Sequence, residues 1–271
     1  MPLSGATTPR RPSDSGHNNV PDQPCTDPSE IDVPVCRAPE LPRALERVVL
    51  LMDKPPGWSS FDVIRKLRPM LKVRKIGHAG TLDPMATGLL ICLVGRATKL
   101  MNTFMGMPKC YEGTMRLGEV TPSYDAESDV TNRAPWEHVT EQEMEEARSA
   151  FEGEIEQIPP MYSAVKVNGE RLYKKARRGE EVKRSPRNVV IEKFEWTGHE
   201  GPDWSFRIRC SKGTYIRSLA HDLGQRVGCG AHLVALRRTA IGPYCVENAW
   251  VPSALERALA KNSDPLSTSQ A

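Results

Sequence analysis

The chain has 271 residues, of which 26% are charged, 39% hydrophobic and 6% aromatic, a size that holds one large or two small domains and excludes a collagen-like rod. Its 37 Lys+Arg against 34 Asp+Glu leave a formal net charge of +3, too little to name a polyanionic partner before the charges are placed. No apolar run approaches the roughly 20 residues needed to cross a bilayer, and the longest, Leu89 to Val94, has the length of a buried strand.

Residues 1–45 are rich in Pro, Ser, Thr, Asn and Asp, contain no lysine and hold few large apolar side chains. So little burial cannot repay the entropy of ordering them, and a disordered tail is expected. The segment lacks the cationic start and apolar run of a secretory signal. Asp14, Asp22, Asp27, Glu30 and Asp32 also disfavour the competing reading, an acid-poor organelle transit peptide. Seven cysteines without a C-x-x-C pair read as reduced thiols rather than a disulfide framework or a zinc site, and a cytoplasmic location is expected.

From Arg47 the composition changes. Val48 to Met52 reads as a buried strand running into the turn Asp53-Lys54-Pro55-Pro56-Gly57. Ser59 with Asp62 forms a capping-box pattern, after which Phe61, Ile64, Leu67 and Leu71 recur at helical spacing. Strands are predicted over Tyr111 to Leu117, Val189 to Trp196 and Trp204 to Cys210; in the last, Phe206, Ile208 and Cys210 face one way and Arg207 and Arg209 the other. Thr140 and Glu143 open a helix carrying Met144, Ala147 and Phe151, and Leu172 to Arg178 makes a short helix stopped by Gly179. Ile216, Leu219, Ala220, Leu223 and Val227 mark another helix, ending at Gly228. A final amphipathic segment starts near Pro252 and frays after Lys261. Strands and helices mix without regular βαβ alternation or repeats, so the predicted fold class is α+β.

Three polar clusters are candidate sites. Gly77-His78-Ala79-Gly80-Thr81-Leu82-Asp83-Pro84-Met85-Ala86-Thr87-Gly88 is by itself a turn-rich loop with one carboxylate, and it matches neither phosphate-binding glycine motif. Cys210 to Arg217 is a strand end turning into a helix, with Lys212, Tyr215 and Arg217 close together at a helix start that suits an anion. Pro159 to Lys166, followed by Tyr173-Lys174-Lys175-Ala176-Arg177-Arg178, sets an aromatic beside a basic run. Such a run is by default a solvated charged face, and it is also what a nucleic-acid groove needs.

Together with Asp53-Lys54-Pro55-Pro56-Gly57-Trp58-Ser59-Ser60, Gly95-Arg96-Ala97-Thr98-Lys99 and Tyr111-Glu112-Gly113-Thr114-Met115-Arg116-Leu117-Gly118, these clusters resemble, in the same order from Val48 to about Tyr244, the TruB family of pseudouridine synthases. That family isomerises uridine 55 in the T-arm of tRNA. The resemblance implies the pseudouridine synthase catalytic fold over residues 46–250, a long mixed, largely antiparallel sheet with a central cleft, followed by a helix and frayed tail over 251–271. It also implies an isomerase with no cofactor and no metal. Asp83 is then the catalytic carboxylate, Arg217 its guanidinium partner, and Tyr111 the tyrosine that stacks on the target base and is a candidate for the proton transfer at C5. Tyr215 corresponds to the second pocket tyrosine, His78 to the histidine beside the flipped nucleotides, Leu236 to a pocket-lining leucine, and Lys54 to a further substrate-binding residue.

An unperturbed Asp, with pKa near ~3.9, is ionised at neutral pH, and a nearby guanidinium opposes any rise on burial. Flipping a uridine out costs a few kcal/mol while stacking returns about 1–3 kcal/mol per base, so two tyrosines roughly offset extrusion. Arg74, Lys75, Lys174, Lys175, Arg177, Arg178, Lys212, Arg237 and Arg238 are expected to line the phosphate track.

Bacterial relatives usually carry a small C-terminal RNA-binding domain, and the roughly 27 residues after Tyr244 are too few for one, so the chain is expected to lack it. Met85 and Ala79, where leucine and threonine are common, are mild departures. The expected partner is tRNA through its T-arm, bound by a monomer with no obligate protein partner and no membrane. Two rival readings differ in class: the guide-RNA-dependent branch that modifies rRNA with the help of partner proteins, and an RNA-binding or tRNA-folding protein without catalysis. Asp83, Tyr111, Tyr215 and Arg217 speak against the second.

Overall fold

The computed structural model describes residues 33–41, 45–163, 166–167, 169–180 and 182–262. Its strands are β1 Val35–Cys36, β2 Arg47–Lys54, β3 Ile76–Ala79, β4 Thr87–Gly95, β5 Lys109–Leu117, β6 Glu119–Val120, β7 Asn132–Arg133, β8 Gly153–Gln157, β9 Lys166–Val167, β10 Glu170–Arg171, β11 Arg187–Glu200, β12 Asp203–Cys210, β13 Ala231–Ile241 and β14 Tyr244–Cys245. The helices are α1 Ser60–Leu71, α2 Met101–Gly106, α3 Glu141–Ser149, α4 Leu172–Arg177, α5 Ile216–Arg226 and α6 Pro252–Asn262.

One sheet runs in the order β1-β2-β4-β13-β5-β12-β11-β8, with β3 added to β4 and β14 to β13, while β6 pairs with β7 and β9 with β10 as separate ribbons. Among the described strands only β1 with β2 and β4 with β13 pair parallel. This is the mixed, largely antiparallel α+β sheet expected. No helix among the described residues is long and apolar enough to cross a membrane.

Local chemistry explains the elements around the site. The Ser59 hydroxyl accepts the Asp62 N–H and the Asp62 carboxylate accepts the Ser59 N–H, so the capping box of α1 is closed in both directions. Val63, Ile64, Leu67 and Leu71 are buried on that helix. Phe61, predicted on the same apolar face, is instead 56% exposed, with the Arg68 guanidinium 5.5 Å from its ring centre. Burial along β2 is two-sided: Val48, Leu50 and Met52 pack under α1 and α6, while Val49 and Leu51 pack with Phe104 and Tyr244 on the other face. On β12 the predicted alternation holds, Phe206, Ile208 and Cys210 being buried over α5 and Arg207 exposed. The six described cysteines are free thiols.

Further features depart from the sequence reading. The expected tail over 1–45 is anchored in its last part: Val33 and Cys36 are buried, Val49 N–H donates to Pro34 O and Ala38 N–H to Asn248 O, and Trp250 Nε1 donates to Glu40 O. Residues 1–32 lie outside the described residues, as do 263–271 of the predicted frayed end. The strand β13, unassigned from its mixed sequence, lies near the middle of the sheet between β4 and β5. Finally, β3 carries part of the segment read as a loop, with His78 paired opposite Cys92.

Gly88 shows how tightly the strands meet at the site. It has φ +101°, and a Cβ there would fall 2.3 Å from the Arg238 carbonyl oxygen of the parallel neighbour β13. Gly88→Ala is expected to cost about 3 kcal/mol or more through combined backbone strain and overpacking. A urea denaturation midpoint equal to that of the native chain would refute this reading.

Candidate active site

The site forms where the β3–β4 loop, β5, the loop after β6 and the start of α5 converge. Asp83 sits in the turn Asp83-Pro84-Met85-Ala86, closed by Ala86 N–H donating to Asp83 O at 3.1 Å. The Asp53 to Ser60 segment braces that turn. Ser60 Oγ accepts Leu82 N–H at 2.8 Å and lies 3.1 Å from Leu82 O, and Gly57 N–H donates to Pro84 O at 2.9 Å. The Lys54 ammonium donates to the carbonyls of Pro55, Trp58 and Pro84 at 2.9, 2.6 and 3.1 Å.

Lys54 therefore departs from its expected substrate contact. It is 0% exposed, and its three donors are already committed to backbone. Burial pulls its pKa down to about 8, so at neutral pH it remains mostly a cation tying the β2–α1 connection to the Asp83 turn.

Arg217, at the first turn of α5, is 4% exposed and organises the centre. Its Nε lies 3.0 Å from Asp83 Oδ2 and its Nη1 3.1 Å from Asp125 Oδ2. Nη1 also donates to Ser123 O at 3.1 Å and Nη2 to Tyr162 O at 2.9 Å. One planar fork thus spans two carboxylates of opposite character: Asp125 is fully buried, whereas the Asp83 side chain keeps 37% of its surface open. Desolvation by the surrounding protein raises the Asp83 pKa above its ordinary value, Arg217 and Lys54 pull it back, and Asp125 adds to the rise. The result is an ionisable carboxylate held in one orientation, with a face open to a reactant.

Tyr111 on β5 is 8% exposed and pairs across the sheet with Arg238 of β13. Burial raises the pKa of its phenol, and the Arg238 charge opposes the rise. His78 on β3 has a buried Nδ1 without a partner, and burial together with the Arg238 charge lowers its pKa, keeping it neutral. It lines a surface cleft with Phe61, Thr81 and Met105. Tyr215 is the N-cap of α5. The buried Gln157 of β8 clamps its backbone through Tyr215 N–H to Oε1 at 2.7 Å and Nε2 to Tyr215 O at 2.9 Å, and the Arg187 guanidinium lies 5.3 Å from its ring centre. Leu236 on β13 is partly buried against the cluster that contains Tyr111, Leu82 and Ala86.

Sequence reasoning missed Asp125, Glu127 and Gln157. Glu127 accepts the Met85 N–H at 2.6 Å and so holds the Asp83 turn from outside. No periodicity marks these residues; a carboxylate in the loop Thr121-Pro122-Ser123-Tyr124-Asp125 is the only local signal. Three of the expected phosphate-track cations are engaged elsewhere. Arg237 binds Asp53 through both Nη atoms at 3.0 and 2.7 Å, and Arg238 is 1% exposed and donates to Leu89 O and Gly80 O. Arg178 is paired with Glu170 and Glu180. Arg74, Lys75 and Lys212 are exposed.

Comparison with known proteins places this geometry. Residues 68–216 match the model of the TruB family pseudouridylate synthase N-terminal domain, and residues 217–267 match that of the tRNA pseudouridylate synthase B C-terminal domain. The latter span covers α5, β13, β14 and α6, elements built into or packed on the main sheet. The few residues after Tyr244 lead to the expectation that the chain lacks a C-terminal domain; a family model of that name matches nonetheless, beginning at Arg217 within the expected catalytic domain. The chain is 51% identical over 208 residues to a tRNA pseudouridine synthase B of Opitutus terrae, covering 77% of this chain and 86% of that protein. It is 48% identical to that of Thermobifida fusca, covering 74% and 71%. Among solved structures, a Cbf5-Nop10-Gar1 complex matches with TM-score 0.59 and 31% identity over 83% of this chain, and an archaeal box H/ACA Nop10-Cbf5 complex with TM-score 0.58 and 28% identity over 79%. The chain spans 57% and 53% of those two proteins.

Proposed function

Because the chain belongs to the TruB family of pseudouridylate synthases and is a tRNA-modifying isomerase, we propose that it converts uridine 55 in the T-arm loop of tRNA to pseudouridine, with Asp83 as the reacting carboxylate. The observation that carries this reading is the single guanidinium of Arg217 shared between the partly open Asp83 and the buried Asp125. Isomerisation breaks the C1′–N1 bond, forms a C1′–C5 bond, removes a proton from C5 and adds one at N1, so atoms balance without a co-reactant. In this scheme Asp83 attacks or stabilises the reacting centre, Arg217 keeps it ionised, and Tyr111 stacks on the flipped base and is the candidate for the C5 proton transfer. Tyr215, His78 and Leu236 line the pocket for the extruded nucleotide. The higher identity to tRNA-directed relatives, 51% against 31% for the Cbf5 structure, favours a tRNA substrate over a guide-RNA system.

The test is tritium release from C5-labelled uridine in an unmodified tRNA transcript, beside the same transcript with cytidine at position 55. Release confined to the first transcript is expected. Equal release from both would move the target elsewhere, and none from either would remove the proposed reaction.

Binding has its own signature. Replacing Arg74, Lys75 or Lys212 with alanine is expected to lower the slope of log affinity against log salt by about 0.9 for each phosphate that the variant no longer neutralises. Arg238→Ala should instead act through the fold, because its charge is buried. Slopes unchanged in all three surface variants would place the phosphate track elsewhere.

A further inference from the structure

The loop segment Ser123-Tyr124-Asp125 is gripped from one face of α5 at two points. Arg217 reaches Ser123 O and Asp125 Oδ2. One helical turn further on, His221 lays its imidazole on the Tyr124 ring, with centroids 3.8 Å apart and planes 14° apart. The other side is fastened too: Leu233 N–H donates to Tyr124 O at 3.0 Å, Thr121 Oγ1 to Asp125 O at 2.7 Å, and Ser123 Oγ to Asp125 Oδ1 at 2.5 Å.

Tyr124 occupies the left-handed region, with φ +64°, a conformation that crowds the Cβ of a bulky residue against its own backbone. A turn alone would be better served by glycine, so the ring must return something the turn does not need. His221 supplies no evident proton chemistry. Its Nδ1 is buried without a partner and burial lowers its pKa, which leaves a neutral, flat surface for stacking.

We propose that the Tyr124–His221 stack is a positioning device that clamps the Asp125 loop to the helix carrying Arg217, and thereby sets how that guanidinium is shared between Asp125 and Asp83. Nε and Nη1 belong to one rigid plane, so a loop that drifts turns the fork away from Asp83. The effect on turnover rests on the proposed role of Asp83; the effect on Asp83 ionisation does not.

The test uses the full chain in four variants, Tyr124→Gly, Tyr124→Phe, His221→Ala and His221→Phe, with two readouts. One is kcat and KM on a tRNA transcript. The other is the titration midpoint of the Asp83 carboxyl carbon by NMR without RNA, in which the charged neighbours Arg217 on α5, Asp125 and Glu127 in the loop and Lys54 on β2 are all retained. Tyr124→Gly and His221→Ala are expected to lower kcat by about 10-fold or more, on the scale of misplacing a catalytic group by under an ångström, with KM within about twofold. They should raise the Asp83 midpoint by about one pH unit, while the two Phe variants keep native values. An unmoved midpoint in the Gly and Ala variants, or Phe variants that fail equally, overturns the clamp. Should one variant not fold, the midpoint in the other decides. A native chain inert toward tRNA whose midpoint still rises in Tyr124→Gly overturns the reaction assignment and upholds the clamp.

Discussion

Asp83→Asn is expected to lower turnover by roughly 10⁴-fold or more, the scale of removing a reacting group, while tRNA affinity stays within a few-fold. The amide keeps the size of the carboxylate and can still accept from Arg217 Nε, so the pocket is preserved and only the charge and nucleophilicity go. Arg217 retains Asp125 as counter-ion, and the fold should not suffer. Because burial raises the Asp83 pKa, the native state binds the Asp83 proton more readily than the unfolded chain. Its charge is then a cost to folding at neutral pH that is relieved as pH falls through the raised pKa. The variant should melt at the native temperature or slightly above it, which separates lost chemistry from lost structure. The same shift puts the acid limb of kcat above the ordinary carboxylate range, and Asp83→Asn should abolish the activity to which that limb belongs. Persistent turnover would remove Asp83 from the reaction.

Arg217→Met is expected to damage both fold and activity. It strands the fully buried Asp125 without its cation, and removing one member of a buried pair typically costs about 3–5 kcal/mol, about 10 °C or more in melting temperature for a domain of this size. Asp83 loses the guanidinium that opposes its desolvation, so turnover should fall roughly 10²–10³-fold. Adding Asp125→Asn in the same chain removes the stranded charge and should recover part of the stability but none of the activity. A double variant no more stable than Arg217→Met would show that the loss came from packing and not from the unpaired carboxylate.

Much of the framework is written locally. The capping boxes at Ser59–Asp62 and Thr140–Glu143 are short-range hydrogen-bond patterns, and both close as predicted. The alternation on β12 follows from the two-residue period of a strand, and Gly179 and Gly228 follow the ends of α4 and α5 with positive φ. Asp83, Tyr111 and Arg217 were legible because each sits in a motif whose residues are neighbours along the chain. The strand β13 was not, since a strand carrying Arg237 and Arg238 has no clean alternation when one arginine is paired with Asp53 and the other is buried against backbone carbonyls.

The class of fold, several helix ends and the loop of the carboxylate proposed to react are legible along the chain, because propensity, capping and hydrophobic period act over a few residues. Other outcomes appear only once the chain is folded: Lys54 spends its ammonium on three carbonyls, Phe61 faces outward, Val33 to Leu41 belong with the sheet, and Asp125 stands behind Arg217. Those outcomes depend on which buried donors and charges find partners far along the chain, a choice made by desolvation and packing when the sheet closes and not by any local pattern.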